Sequence, residues 1–246
     1  MNPLDPVCVG LVAVIAALYS SVGHGGASGY LALLAFSTMA TKETSVLALV
    51  MNCFVATVSF LAFQRAKHFT WTLAWPFLLG SIPFAFIGGS LRLSEKAFSV
   101  ILAVALGLAA LRLLWQIKAD ADIETKEVPV PLGAGVGAGI GLLSGMVGVG
   151  GGIFLSPVII LAKWADAKQT SSVAALFIIL NSIAGLAARP WPAVVKTFDY
   201  WPLMVAGVCG AVGGSMLGAN IVPNIWLRRC LGGVLVIAVV KLILKH

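Results

Sequence analysis

Along the chain, apolar residues come in blocks separated by short polar clusters. Six blocks lie at 45–63, 71–91, 97–115, 170–188, 201–219 and 225–244, divided by clusters such as Gln64-Arg65-Ala66-Lys67-His68. At about 20 residues each they are long enough to span a hydrocarbon core as helices. Two further stretches are apolar but interrupted. Residues 7–19 resume at 30–39, and a run from residue 132 resumes at 153–162. The pattern predicts an all-α integral membrane protein with two interrupted pairs of short helices and three transmembrane helices after each pair.

The interruptions are rich in glycine. The second runs Gly141-Leu142-Leu143-Ser144-Gly145-Met146-Val147-Gly148-Val149-Gly150-Gly151-Gly152, with six glycines. In a helix interior each glycine costs about 1 kcal/mol relative to Ala, so a break is expected here. A break inside a membrane leaves helix N–H groups and a positive dipole end facing inward, which suits an anion where the break lines a cavity. Close helix packing through small residues is the alternative use of the same glycines.

The pattern occurs twice at a spacing of about 125 residues, which shifts the balance toward a site. Gly23-His24-Gly25-Gly26-Ala27 falls on Gly148-Val149-Gly150-Gly151-Gly152, and Ser45-Val46-Leu47-Ala48-Leu49 falls close to Ser172-Val173-Ala174-Ala175-Leu176. Arg65 matches Arg189, and Gly88-Gly89-Ser90 matches Gly213-Gly214-Ser215. The expected organisation is a first membrane repeat at 1–117, a polar linker at 118–130 and a second repeat at 131–246. If each broken pair folds back as a hairpin, a half has an odd number of crossings and the repeats are inverted; one kinked crossing would make them parallel. Inverted repeats are preferred, because paired half-helices place both breaks at the midplane.

Composition agrees. Hydrophobic residues make up 60% and charged residues 10%, with mean hydropathy +1.03, against roughly 25% charged in soluble domains. The net charge of +7 is spread over the ends of apolar segments, where basic residues orient spans, so no nucleic-acid partner is implied. Cys8, Cys53, Cys209 and Cys230 lack metal spacing and read as small core residues. The N-terminus carries no Lys or Arg before the first apolar run; the expectation is that this run is retained, with the N-terminus outside.

All nine acidic residues, Asp5, Glu43, Glu95, Asp120, Asp122, Glu124, Glu127, Asp166 and Asp199, fall in termini, turns or the linker. Cation and proton carriers commonly use intramembrane carboxylates, so their absence from the apolar blocks argues for an anion held by backbone N–H groups and hydroxyls. The candidate contacts are Ser20, Ser21, Gly23, His24, Gly25, Gly26 and Ser28 at the first break. At the second they are Ser144, Gly148, Gly150, Gly151 and Gly152. Thr170 and Ser171, with Ser172, are expected to cap the start of a span, as plain N-caps or as ligand contacts. Asn52 and Asn181 lie mid-span, where an amide bonds either a neighbouring helix or the substrate. Arg65 and Arg189 either steer anions or anchor the interface, and Trp71, Trp75, Trp191 and Trp201 read as an aromatic belt. His24, with an ordinary pKa of about 6.5, is the group in a break able to gain charge near neutral pH and link anion binding to proton uptake. A neutral imidazole bonded to a carbonyl is the structural alternative.

The chain resembles the TauE/SafE family of sulfite exporters and sulfonate permeases. That family carries a G-x-G-G-G element and an aliphatic-Pro pair in each half, then a Thr/Ser-rich start to the next span. Gly148-Val149-Gly150-Gly151-Gly152, Ser156-Pro157 and Thr170-Ser171-Ser172 match the second-half form. Gly23-His24-Gly25-Gly26-Ala27-Ser28 departs from it, with His in the variable slot, Ala for the third Gly and no following Pro. The resemblance covers essentially the whole chain. It implies a multi-pass inner-membrane permease of about eight spans whose partners are a small sulfur-containing anion and lipid; a homodimer is left open. No cofactor and no metal are expected. An enzyme would need a nucleophile–base pair or a metal cluster, which His24, His68 and His246 do not supply. A scaffold or sensor without transport is the remaining alternative.

Overall fold

The computed structural model of the chain describes residues 2–91 and 126–220, with Val100, Val104 and Gly107. The block at 225–244, the rest of the block at 97–115, Cys230 and most of the linker lie outside the described residues. Those described form helices and no strand. In order they are α1 (Pro6–Ser20), α2 (Ala27–Leu34), α3 (Thr41–Arg65), α4 (Trp71–Ser90) and α5 (Val130–Val147). They continue as α6 (Gly152–Leu161), α7 (Ala167–Ala187), α8 (Trp191–Lys196), a 3-10 turn (Thr197–Tyr200) and α9 (Trp201–Asn220). Among the described residues, five helical stretches are long and apolar enough to cross a membrane: Lys42–Arg65, Trp71–Ser90, Val130–Val147, Ala167–Ala187 and Trp191–Asn220.

Local chemistry sets several ends. Asp5 caps α1 by accepting from the Val7 N–H at 2.9 Å, with Pro6 as the first helical residue. Asp166 caps α7, accepting from Lys168 and Gln169 N–H groups while the Gln169 side chain reaches back to the Asp166 N–H. Here the structure corrects an expectation. Thr170 and Ser171 are not caps; they lie inside the first turns of α7, and their hydroxyls donate to the Asp166 and Ala167 carbonyls.

Glycine lets the long helices meet backbone to backbone. A Cβ at Gly137, Gly141 or Gly145 of α5 would overlap the carbonyls of Phe77, Ser81 and Ala85 in turn, and one at Gly80 or Gly88 of α4 would overlap Ala134 and Leu142. The partners ascend together, so α4 and α5 are parallel. Gly210, Gly214 and Gly218 of α9 meet Ala13, Ala17 and Ser21 in the same way, so α1 and α9 are parallel. Asn52 of α3 bonds Ser182 of α7, while Leu49 packs at Gly185; that order is reversed, and α3 and α7 are antiparallel. Lys196, before α9, pairs with Glu43, and Gly207 faces Met51 and Val55, so α9 follows α3. Gly89, near the end of α4, meets Gly185 and Ala188, around the end of α7. Hence α1, α3 and α9 run one way and α4, α5 and α7 the other.

One buried cluster joins α1, α2, α3 and α9 with Val147, Val149 and Ile153; a second joins α4 with Ile140, Leu155, Ile159 and Phe177. Trp71, Trp191 and Trp201 open α4, α8 and α9 and are exposed, as an interfacial belt requires. Cys8 is buried, but Cys209 is exposed, so the expectation of a core cysteine fails there.

Candidate functional site

Both interruptions fold the chain back on itself. After α1, Val22, Gly23 and His24 donate their N–H groups to carbonyls of Tyr19 and Ser20, closing a tight turn. Gly23 and Gly26 have φ of 73° and 91°, a left-handed conformation that glycine adopts without a Cβ penalty. The helix that follows returns alongside α1, with Gly29 packed on Ile15 and Tyr19. At 8 residues it is about 12 Å long, less than half of a hydrocarbon core. In the second interruption Gly148, Gly150 and Gly151 have φ of 81°, 79° and 82°. Gly151 sits against Ile140 and Ser144 of the incoming helix. α6, with 10 residues, is again about half a span.

The two tips meet on one asparagine. Asn52, fully buried near the middle of α3, accepts from the Ala27 N–H at 3.2 Å through Oδ1, capping α2. Its Nδ2 donates to the Val149 carbonyl at 3.3 Å in the second tip and approaches Ser182 Oγ at 3.4 Å. Gly25 and Gly150 both face this amide and Ile178 of α7, and a Cβ at either would strike Asn52. The starts of the long helices brace the tips crosswise: Gly23 lies on the Ser171 backbone, Gly148 lies on Ser45, and Ser45 Oγ donates to the Val147 carbonyl at 3.0 Å.

His24 ties the first tip to the second pair. Its Nδ1 lies 2.7 Å from the Val22 carbonyl and its Nε2 3.3 Å from Ser156 Oγ on α6. A carbonyl only accepts, so Nδ1 carries the proton, and in the neutral ring Nε2 accepts from the Ser156 hydroxyl.

The other candidates divide. Ser21 donates to the Leu18 carbonyl, and Ser28 donates to the Tyr19 hydroxyl at 2.8 Å. Ser20 and Ser144 are fully buried with no partner for their hydroxyls among the described residues, and so is Ser172. Asn181 donates to the Phe177 carbonyl of its own helix at 2.8 Å, and its buried Oδ1 has no partner. The structure therefore brings Gly25, Gly26, Gly150, His24 and Asn52 together, with Ser144 beside Gly151. Ser171 contributes backbone packing at Gly23, while the Thr170 and Ser171 hydroxyls bond the start of their own helix.

The two arginines are not alike. Arg65, in the last turn of α3, is exposed. Arg189, just after α7, is partly buried, donates to the Gly145 carbonyl at 3.0 Å, and leaves its Nε without an acceptor. Burial lowers its guanidinium to about 10, which leaves it charged at neutral pH. It lines a cavity of about 360 Å³ with Lys42, Glu43 and Lys196.

Ile178, Ser182, Ser45 and Ser156 complete the tip junction, and sequence reasoning did not place them there. A hydroxyl or an isoleucine in an apolar block carries no local mark of the tertiary neighbour it meets. Lys42 and Lys196 were read only as charges at segment ends.

A family described as "Sulfite exporter TauE/SafE" matches residues 8–242. A protein of Sinorhizobium fredii (strain NBRC 101917 / NGR234) described as "Probable membrane transporter protein y4hK" is 33% identical over 251 residues, covering 98% of this chain and 100% of that one. No solved structure matches.

Proposed function

This chain belongs to the sulfite exporter TauE/SafE family, and we propose that it is an inner-membrane permease moving a small sulfur-containing anion through the junction of its two glycine breaks. One observation carries this reading: both breaks end on Asn52 near mid-span, which accepts the first N–H of α2 and donates to the Val149 carbonyl, so the starts of the two half-helices converge there. The Phe154 and Leu155 N–H groups of α6 donate to the Gly151 carbonyl, which leaves Gly152 and Ile153 as the donors with no carbonyl in their own helix, and Gly151 caps that helix without a side-chain bond of its own. An anion there meets aligned backbone donors and the positive end of α6. The buried Ser144 hydroxyl, beside Gly151 and without a partner among the described residues, is a further donor.

Two membrane repeats of opposite orientation fit this reading. The helices equated by sequence, α1 with α5, α3 with α7 and α4 with α9, run in opposite directions by the contacts above. The close packing of Gly25 and Gly150 against Asn52 and Ile178 leaves no room for an anion between the tips as they stand, so transport requires the hairpins to part. That motion is alternating access by one repeat rocking on the other.

The test is flux. Purified protein in liposomes should move radiolabelled sulfite, thiosulfate or a short sulfonate, and Asn52→Leu should abolish the movement while the protein stays folded. If no anion of this panel moves in either direction, with or without a pH gradient, the permease reading is wrong.

A further inference from the structure

The two half-helices begin against corresponding points of the two long antiparallel helices. Ala27 opens α2 and Gly152 opens α6, each after a left-handed glycine, Gly26 or Gly151. Asn52 of α3 and Ile178 of α7 are separated by the repeat spacing of about 125 residues, as Ala27 and Gly152 are. Asn52 accepts the Ala27 N–H at 3.2 Å. Ile178 holds the matching place in the other pair, where a Cβ at Gly152 would overlap its Cδ1. It also touches both tips: its Cγ2 would lie 3.1 Å from a Cβ at Gly25 and 2.9 Å from one at Gly150. Asn52 and Ile178 are both buried. They differ in one decisive property, since the amide carries an acceptor and the isoleucine carries none.

We propose that Ile178 is the specificity-determining residue of the junction: lacking an acceptor where its counterpart Asn52 caps α2, it keeps the Gly152 and Ile153 N–H groups for an anion and assigns binding to the second break. The proposal rests on reading the chain as an anion permease. A buried N–H left without an acceptor costs more than its hydrogen bond would return, so a helix start is ordinarily given a side-chain oxygen. The start of α6 has none. Ser144, buried beside Gly151 with its hydroxyl unpartnered among the described residues, adds a further donor. Donors gathered at one helix start, with no side-chain acceptor, suit an oxyanion and oppose a cation. An acceptor introduced at Ile178 would compete for those donors from within the chain, with no loss of translational freedom to offset.

The pair Ile178→Val and Ile178→Thr tests this in the full chain in phosphatidylcholine nanodiscs. The two new side chains have nearly the same shape and differ by a methyl against a hydroxyl, so packing losses are shared. In Ile178→Thr the hydroxyl donates to the Ala174 carbonyl one turn back, an oxygen 3.2 Å from a Cβ at Gly152, and its lone pairs face the start of α6. Amide hydrogen exchange at Gly152 and Ile153 should be about tenfold slower in Ile178→Thr than in Ile178→Val. By calorimetry with sulfite, thiosulfate and methanesulfonate, Ile178→Val should bind the same anion as wild type with similar affinity. Ile178→Thr should bind it about tenfold more weakly, and Ile178→Asn, the closer copy of Asn52, more weakly still. If Ile178 serves only to fill the core, the Val and Thr variants bind alike and exchange alike, and either result overturns the proposal. A folding loss in Ile178→Asn leaves the Val and Thr comparison standing. Binding of none of the three anions by wild type sinks the permease reading and the proposal together, whereas wild-type binding with equal Val and Thr affinities sinks the proposal alone.

Discussion

The two glycine breaks share a sequence pattern and differ in what they present. The first has two left-handed glycines and is dressed by side chains: Asn52 caps α2, Ser28 bonds Tyr19, and His24 reaches Ser156. The second has three left-handed glycines, and side chains bond its carbonyls, at Val147 and Val149, rather than its helix N-terminus. The side-chain oxygen of Asn52 thus occupies the donor end of α2, whereas among the described residues the donor end of α6 is met only by the Gly151 carbonyl. Equal glycine density therefore does not mean equal sites, and the second break is the better anion cradle.

The largest expected effect separates the two backbones. Gly151→Ala forces a Cβ into a left-handed residue and to 2.8 Å from the Phe177 ring, costing about 3 kcal/mol by strain and overpacking. The larger Gly151→Leu is therefore a folding mutant and not a clean plug of the site. Gly25→Ala has no φ penalty, but its Cβ would overlap the Oδ1 of the buried Asn52, which is held by both tips, so it should cost about 2 kcal/mol by overpacking alone. Thermal unfolding in detergent compares them, and equal losses would erase the difference between the breaks.

Next come the two mid-span asparagines. Asn52→Leu strands the Ala27 N–H and the Val149 carbonyl and should cost about 2 kcal/mol. Asn181→Leu removes an amide whose oxygen is already unpartnered and should change stability by less than about 0.5 kcal/mol. If both cost the same, Asn52 is not the joint of the two tips.

A smaller effect tests the bridge between the pairs. A double-mutant cycle of His24→Gln and Ser156→Ala should give a coupling of about 0.5 kcal/mol or more; zero coupling means the hairpins are independent there. In the same variants, anion binding between about pH 5 and 8 should lose its pH dependence with His24→Gln, and an unchanged profile leaves the imidazole a structural tie. The smallest effect belongs to the exposed Arg65, where Gln should alter stability by under about 0.5 kcal/mol and leave low-salt flux nearly intact. Arg189→Gln should lose the Gly145 bond, about 1 kcal/mol, and slow anion entry. Matching flux losses would restore the two arginines as equals.

Membrane class, the helices at α3, α4, α7 and α9 and the two breaks were legible in the linear sequence. Apolar run length is dictated by bilayer thickness, and clustered glycines are dictated by local backbone cost, so both act within a few residues of where they are read. The start of α7 was misread because Asp166 outcompetes the hydroxyls of Thr170 and Ser171, an acidic cap four residues upstream of the first expected one. Tertiary structure alone decided that Asn52 and not Asn181 joins the breaks, that His24 finds Ser156 across 132 residues, and that Arg189 is partly buried beside a cavity while Arg65 is exposed. Each of these depends on which helix faces align once α4 packs on α5 and α1 on α9. That alignment is set by glycine contacts between helices distant in the chain, which no local pattern encodes.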